Sequence, residues 1–166
     1  MPLLRVETTP TAAMLIGVLG TMFKDPCRSD YLSDTAFHTP DEFLRAHGQS
    51  IVACLAYMND DPAALLWLSK IAYTQEMTPL HASLDIYVFP AWRSRDISPP
   101  CATMLMEGLR AYRLAQLRSI VRADNLPAQN GLHACGFTLV ATLPAWDRYD
   151  GVWCDVVLYD YRMETR

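Results

Sequence analysis

The stretch from Asp124 to Asp155 sets the tightest limit on the fold of this sequence. Asn125 can cap a short helix over Leu126 to Cys135, because its side-chain oxygen can take an orphaned amide of the first turn. Gly136 then supplies the left-handed residue that stops the helix. Phe137 to Leu143 reads as an apolar strand. Asp150-Gly151 is a hairpin turn signal, and Val152 to Tyr161 reads as the returning strand. Asn130-Gly131 is also a turn signal and competes with the helix at that point.

The upstream sequence supplies the rest of an α/β order. Leu3 to Glu7 reads as a first strand. Thr9-Pro10 predicts a helix start, with Thr9 as cap and Pro10 in the first turn. Met14, Leu15, Val18, Leu19 and Met22 then recur at helical spacing. Thr39-Pro40 repeats the start signal for a second helix through Phe43 and Leu44. Ser50 to Tyr57 and Ala63 to Tyr73 read as strands joined at Asn59-Asp60-Asp61-Pro62. Leu65 to Leu68 would also suit a helix by propensity. Ala82 to Phe89 alternates, with Leu84, Ile86 and Val88 on one face and Ser83, Asp85 and Tyr87 on the other. A helix from Ser98 through Leu105, Leu109 and Tyr112 follows, and then a strand from Leu117 to Arg122.

The predicted order is β-α-α-β-β-β-α-β-α-β-β. Strands separated by a helix tend to be parallel and hairpin neighbours antiparallel. A mixed, mostly antiparallel sheet with helices on both faces follows. A length of 166 residues suits one domain, spanning 1–166.

Composition narrows the function classes. The formal net charge is -4, with Lys24 and Lys70 the only lysines, which argues against a nucleic-acid surface. Arg93, Arg95, Arg110, Arg113, Arg118 and Arg122 nevertheless fall close together. The five cysteines, Cys27, Cys54, Cys101, Cys135 and Cys154, form no CxxC pair. Reduced thiols and a cytoplasmic setting are the expectation. The apolar run Ala12 to Leu19 is too short for a membrane span and has no basic segment before it. The histidines form no metal-ligand cluster with cysteines or acids.

The order of elements, with Asn125, Ala128, Gly136 and Phe137, resembles the GCN5-related N-acetyltransferase (GNAT) family. That family often has an Asn, a small residue three further on, and Gly-Phe at plus eleven and plus twelve. Trp153-Cys154-Asp155-Val156-Val157 is similar to the last strand of several branches. The resemblance implies an acyl-CoA-dependent N-acetyltransferase, with acetyl-CoA as co-substrate and a small-molecule or peptide amine as acceptor. A non-catalytic protein using the scaffold for assembly or partner binding is the alternative, and a homodimer stays open.

Val88-Phe89-Pro90 resembles the family's strand end before its pyrophosphate loop, and Arg93 stands where the family has Arg or Gln. Asp96 and Ser98 occupy the places of two glycines. The resemblance implies cofactor contacts from Val88, Phe89, Arg93, Ser94, Arg95, Ser98 and Asn125. Arg93 and Arg95 would replace lost amide contacts with charge-assisted bonds, or stand as plain surface charge. The family's frequent acid, a Tyr seven residues after the Asn, is Leu132 here. Asp85, a carboxylate inside a central strand, is the first candidate base. His81, just before that strand, is the second.

Overall fold

The computed structural model describes residues 4–30, 32–34, 37–73, 79–93, 95, 103, 106 and 114–163. Strand β1 (Leu4–Glu7) leads to helices α1 (Ala12–Lys24) and α2 (Pro40–Ala46). Strands β2 (Val52–Met58), β3 (Asp61–Tyr73) and β4 (Pro79–Val88) follow, then β5 (Gln116–Arg122), α3 (Leu126–Ala134), β6 (Thr138–Tyr149) and β7 (Val152–Arg162). The seven strands form one sheet in the order β1-β2-β3-β4-β5-β7-β6. Every pairing is antiparallel except β4 with β5. The expected helix from Ser98 lies mostly outside the described residues, though Thr103 and Met106 are helical.

Local chemistry explains the boundaries. Helix α1 starts two residues later than the Thr9-Pro10 signal predicts. Thr9 donates its amide and hydroxyl to the Glu7 carboxylate, both at 3.1 Å. Thr11 is the extended residue that accepts the Met14 amide at 3.3 Å, so it becomes the cap. Thr39 caps α2 as predicted, accepting the Glu42 amide at 3.2 Å. The β2–β3 turn is tighter than its composition suggests. Asn59 and Asp60 both have positive φ, at 50° and 66°, which is the backbone of a type I′ hairpin. Asp61 and Pro62 are already in the strand.

Two cores lie on opposite faces of the sheet. On one, Leu15, Val18, Leu19 and Met22 of α1 and Phe43 of α2 cover Leu55, Leu65, Trp67 and Tyr87. On the other, Leu132 of α3 and Phe137 pack with Leu66, Leu68, Ala82, Leu84, Leu117 and Tyr159. Residues 65–68 therefore form a central strand buried on both sides, which explains an apolar run without alternation. The helical alternative for that run is set aside.

The C-terminal unit is built as its sequence indicates, except that β6 continues past the expected end at Leu143 to Tyr149, with a register irregularity between Leu143 and Asp147. The Asn125 side chain accepts the Ala128 amide at 3.2 Å. Gly136 has φ of 85°, and the Phe137 amide closes the helix end on the Leu132 carbonyl at 3.0 Å. Asn130-Gly131 stays within α3, because cap and stop outweigh the internal turn signal. Among the described residues, Cys27, Cys54, Cys135 and Cys154 are free thiols, and no helix is long and apolar enough to cross a membrane.

Candidate active site

The parallel pairing of β4 with β5 is brief. His81, Ala82 and Ser83 pair with Gln116, Leu117 and Arg118. Beyond that register the strands part, although β4 runs on to Val88 and β5 to Arg122. The separation opens a gap at the carboxyl ends of two parallel strands, where ligands of open α/β sheets commonly bind.

A cavity of about 600 Å³ lies over this gap on the α1–α2 face. Ser83 and Asp85 of β4 and Ile120 of β5 line it from both sides of the gap. Trp67, Ser69 and Lys70 of β3, Glu42 and Arg45 of α2, and Trp146, Asp147 and Tyr149 of β6 complete its walls. The aromatic wall is braced from behind, since Phe43 meets Phe37 and Trp67 edge-on at 5.1 and 5.5 Å.

Asp85 points to this face because β4 alternates, as the sequence predicts. Ser69 Oγ donates to its Oδ2 at 3.4 Å. Burial pushes the carboxyl up to about 6, against the pull of the Lys70 charge and the Ser69 bond. A carboxylate with that value is a competent base near neutral pH. His81 stands on the same face four residues earlier, roughly 13 Å along the strand at ~3.3 Å per residue. It is not among the cavity's lining residues. The structure therefore separates the two candidate bases.

Lys70 is placed by a bulge. Ser69 pairs with Ser83 and Ala72 with His81, so Lys70 and Ile71 oppose Ala82 alone. Lys70 has φ of 49°, a left-handed conformation that costs a side chain roughly 1–2 kcal/mol. Bulges of this kind re-aim side chains beside functional sites.

Tyr149 was not signalled by the sequence. It is 7% exposed and lines the cavity with Asp85. Burial, then the neighbouring Asp147 charge, push its hydroxyl above the ordinary tyrosine range, so it stays protonated. The residue at the family's tyrosine position, Leu132, is in the core at 5% exposure. Tyr149 reaches the cavity from the far end of β6, and no local motif marks it.

The expected cofactor residues divide. Val88 is half-buried, and Phe89 is core, edge-on to Tyr87 at 5.2 Å. Arg93 does not extend outward as a phosphate ligand would. Its Nε donates to the Val88 carbonyl at 3.1 Å, and its guanidinium pairs with Asp25 at the end of α1. Tyr87 Oη donates to the same Asp25 oxygen at 2.7 Å. Burial alone would raise the Asp25 carboxyl, but bonds from Arg93, Tyr87 and the Cys27 amide hold it below the usual range. Arg95 is exposed, its guanidinium 5.2 Å from the Trp92 ring centroid. Asn125 caps α3. Ser94, Asp96 and Ser98 lie outside the described residues.

No protein-family model matches the sequence, and no curated protein matches it at the sequence level. Solved structures do match. Mycobacterium smegmatis RimJ in complex with CoA-disulfide is 17% identical, with TM-score 0.76, over 98% of this chain and 86% of that one. An acetyltransferase of the GNAT family from Streptococcus pneumoniae is 17% identical, with TM-score 0.72, over 99% and 100%. Spermidine N-acetyltransferase from Vibrio cholerae, in complex with CoA and spermine, is 16% identical, with TM-score 0.75, over 96% and 95%. At such identities the likeness is one of fold, and the fold is that of the GCN5-related N-acetyltransferases.

Proposed function

We propose that this chain, built on the acetyltransferase fold, is a single-domain enzyme that transfers an acetyl group from acetyl-CoA to an amine. One observation carries the reading: the β4–β5 pairing stops after Ser83 while both strands continue. An extended ligand with amide groups can pair with the edge of a strand where its ladder to the next strand ends. The CoA-bound neighbours support acetyl-CoA as that ligand.

The amine enters from the cavity and Asp85 takes its proton as it attacks the thioester carbonyl. A carbon–nitrogen bond forms, the carbon–sulfur bond breaks, and CoA leaves as the thiolate, which a proton then neutralises. Tyr149 keeps its hydroxyl proton and is the donor available on the opposite wall. His81 is given no part in this step, since it does not line the cavity. Arg93 fixes the end of β4 to α1 and so sets the start of the loop, leaving phosphate contacts to residues after it.

Release of CoA from acetyl-CoA in the presence of an amine panel, scored with a thiol reagent, tests the proposal. Amine-dependent release is expected. Absence of release across the panel, with no stabilisation by millimolar acetyl-CoA, would favour a non-catalytic use of the scaffold. The engagement of Arg93 by Asp25 is the observation on that side.

A further inference from the structure

The cavity over the gap mixes charges in a way that selects among amines. Carboxylates come from Asp85, Asp147 and Glu42, and cations from Lys70 and Arg45. Among the described residues, neither cation has an ion pair. Arg45 Nε donates to the main-chain carbonyl of Asp41, at 3.3 Å, and its charge also acts on the neighbouring Glu42. The bulge puts Lys70 in a left-handed conformation that glycine would adopt freely, yet a long cationic side chain stands there. Its charge is felt by Asp85, so the cavity holds a cation and the candidate base side by side. Aromatic surface from Trp67, Trp146 and Phe37 covers the remaining wall.

Each class of amine meets this arrangement differently. A polyamine carries several positive charges and would be opposed by Lys70 and Arg45. A phosphorylated amine brings a dianion against Glu42 and Asp147. A zwitterion with one carboxylate beside its amine satisfies both signs at once, and an apolar side chain suits the aromatic wall. The volume lies within the ~300–1,000 Å³ usual for small-molecule sites.

Resting on the acetyltransferase reading above, we infer that the acceptor is a free α-amino acid with a bulky apolar side chain. Its carboxylate is held by Lys70 and Arg45, its amine faces Asp85, and its side chain lies against Trp67 and Trp146. Lys70 is then the residue that sets specificity.

Matched acceptors test this with the full chain at saturating acetyl-CoA: L-phenylalanine, L-phenylalaninamide, phenethylamine and spermine. The expected result is kcat/KM for phenylalanine at least tenfold above each of the others. Lys70→Met should bring the phenylalanine-to-phenethylamine ratio close to one, chiefly through KM. Lys70→Gly, whose backbone suits the bulge, should melt no lower than the wild type and lose the same preference, which a merely structural lysine would not do. Equal or better use of the amide, phenethylamine or spermine overturns the inference and leaves the acetyltransferase reading standing. Stabilisation by acetyl-CoA without turnover of any of the four also overturns the inference alone. No stabilisation and no turnover removes both.

Discussion

Two carboxylates withdrawn from bulk water behave in opposite ways, and their partners explain the difference. Asp85 has one hydroxyl donor at 3.4 Å, so burial dominates and its proton is held up to about 6. Asp25 is the more buried of the two but has Arg93, Tyr87 and the Cys27 amide around it, and stays ionised. For Asp85 the consequence is kinetic. Below about pH 6 the base is protonated and cannot accept a proton, so kcat/KM should fall on the acid side with a limb near that value. Asp85→Asn should lose roughly 10²-fold or more of kcat at neutral pH and lack that limb. For Asp25 the consequence is stability. Its folded pKa lies below the unfolded one, so its contribution is present above the unfolded value, near 3.8, and is lost as pH falls through the folded value. Arg93→Met would leave a buried carboxylate without its cation, at a cost of roughly 3–5 kcal/mol. A lowered Tm at neutral pH, with the deficit shrinking toward acid pH, is the expected melting profile. An unchanged Tm would contradict the pairing. Asp85 was legible in the sequence because alternation assigns its face. The Asp25–Arg93 pair was not, since its members are 68 residues apart and only the docked α1 brings them together. Tyr149 and the bulge at Lys70 were illegible for the same kind of reason. Each acquires its position from a cross-strand register that no local pattern encodes.

Among elements, the best-read part of the chain is the one with the strongest punctuation. Asn125, Gly136 and Asp150-Gly151 each satisfy a backbone requirement that few other residues meet, so α3, β6 and β7 follow from local chemistry. Gly136→Ala tests this. The new Cβ would stand 3.4 Å from the Tyr161 ring, an ordinary contact. The cost is therefore that of holding alanine at φ of 85°, about 1–2 kcal/mol. Chemical denaturation should show the midpoint fall with m unchanged; a neutral substitution would mean that the turn relaxes. Helix α1 shows the converse. Two threonines competed for its cap, and the outcome depended on Glu7, which engages Thr9 and leaves the role to Thr11. The chain order of the strands and the mixed, mostly antiparallel sheet agree with the sequence expectation, as does the parallel β4–β5 pair; β1 and β2 pair antiparallel although helices separate them, against the expected tendency. The extent of that pairing carries the functional content, and composition does not specify it.

At the scale of the molecule, the gap and the cavity are held from both sides. Asp34, in the segment between α1 and α2, accepts the Asp150 and Gly151 amides at 3.0 and 2.9 Å and pairs with Arg148. This ties the helical face to the β6–β7 hairpin, which contributes Trp146 and Tyr149 to the cavity. Across the sheet, Asp25 and Arg93 tie α1 to the end of β4. The catalytic proposal needs these two ties, because an acceptor on one face must meet a thioester in the gap. A structure of the protein with acetyl-CoA tests that claim most directly. The pantetheine arm is expected between β4 and β5 beyond Ser83, with the thioester facing Asp85 from the cavity side. Acetyl-CoA bound elsewhere, or β4 and β5 closed along their full length at millimolar coenzyme, would contradict it.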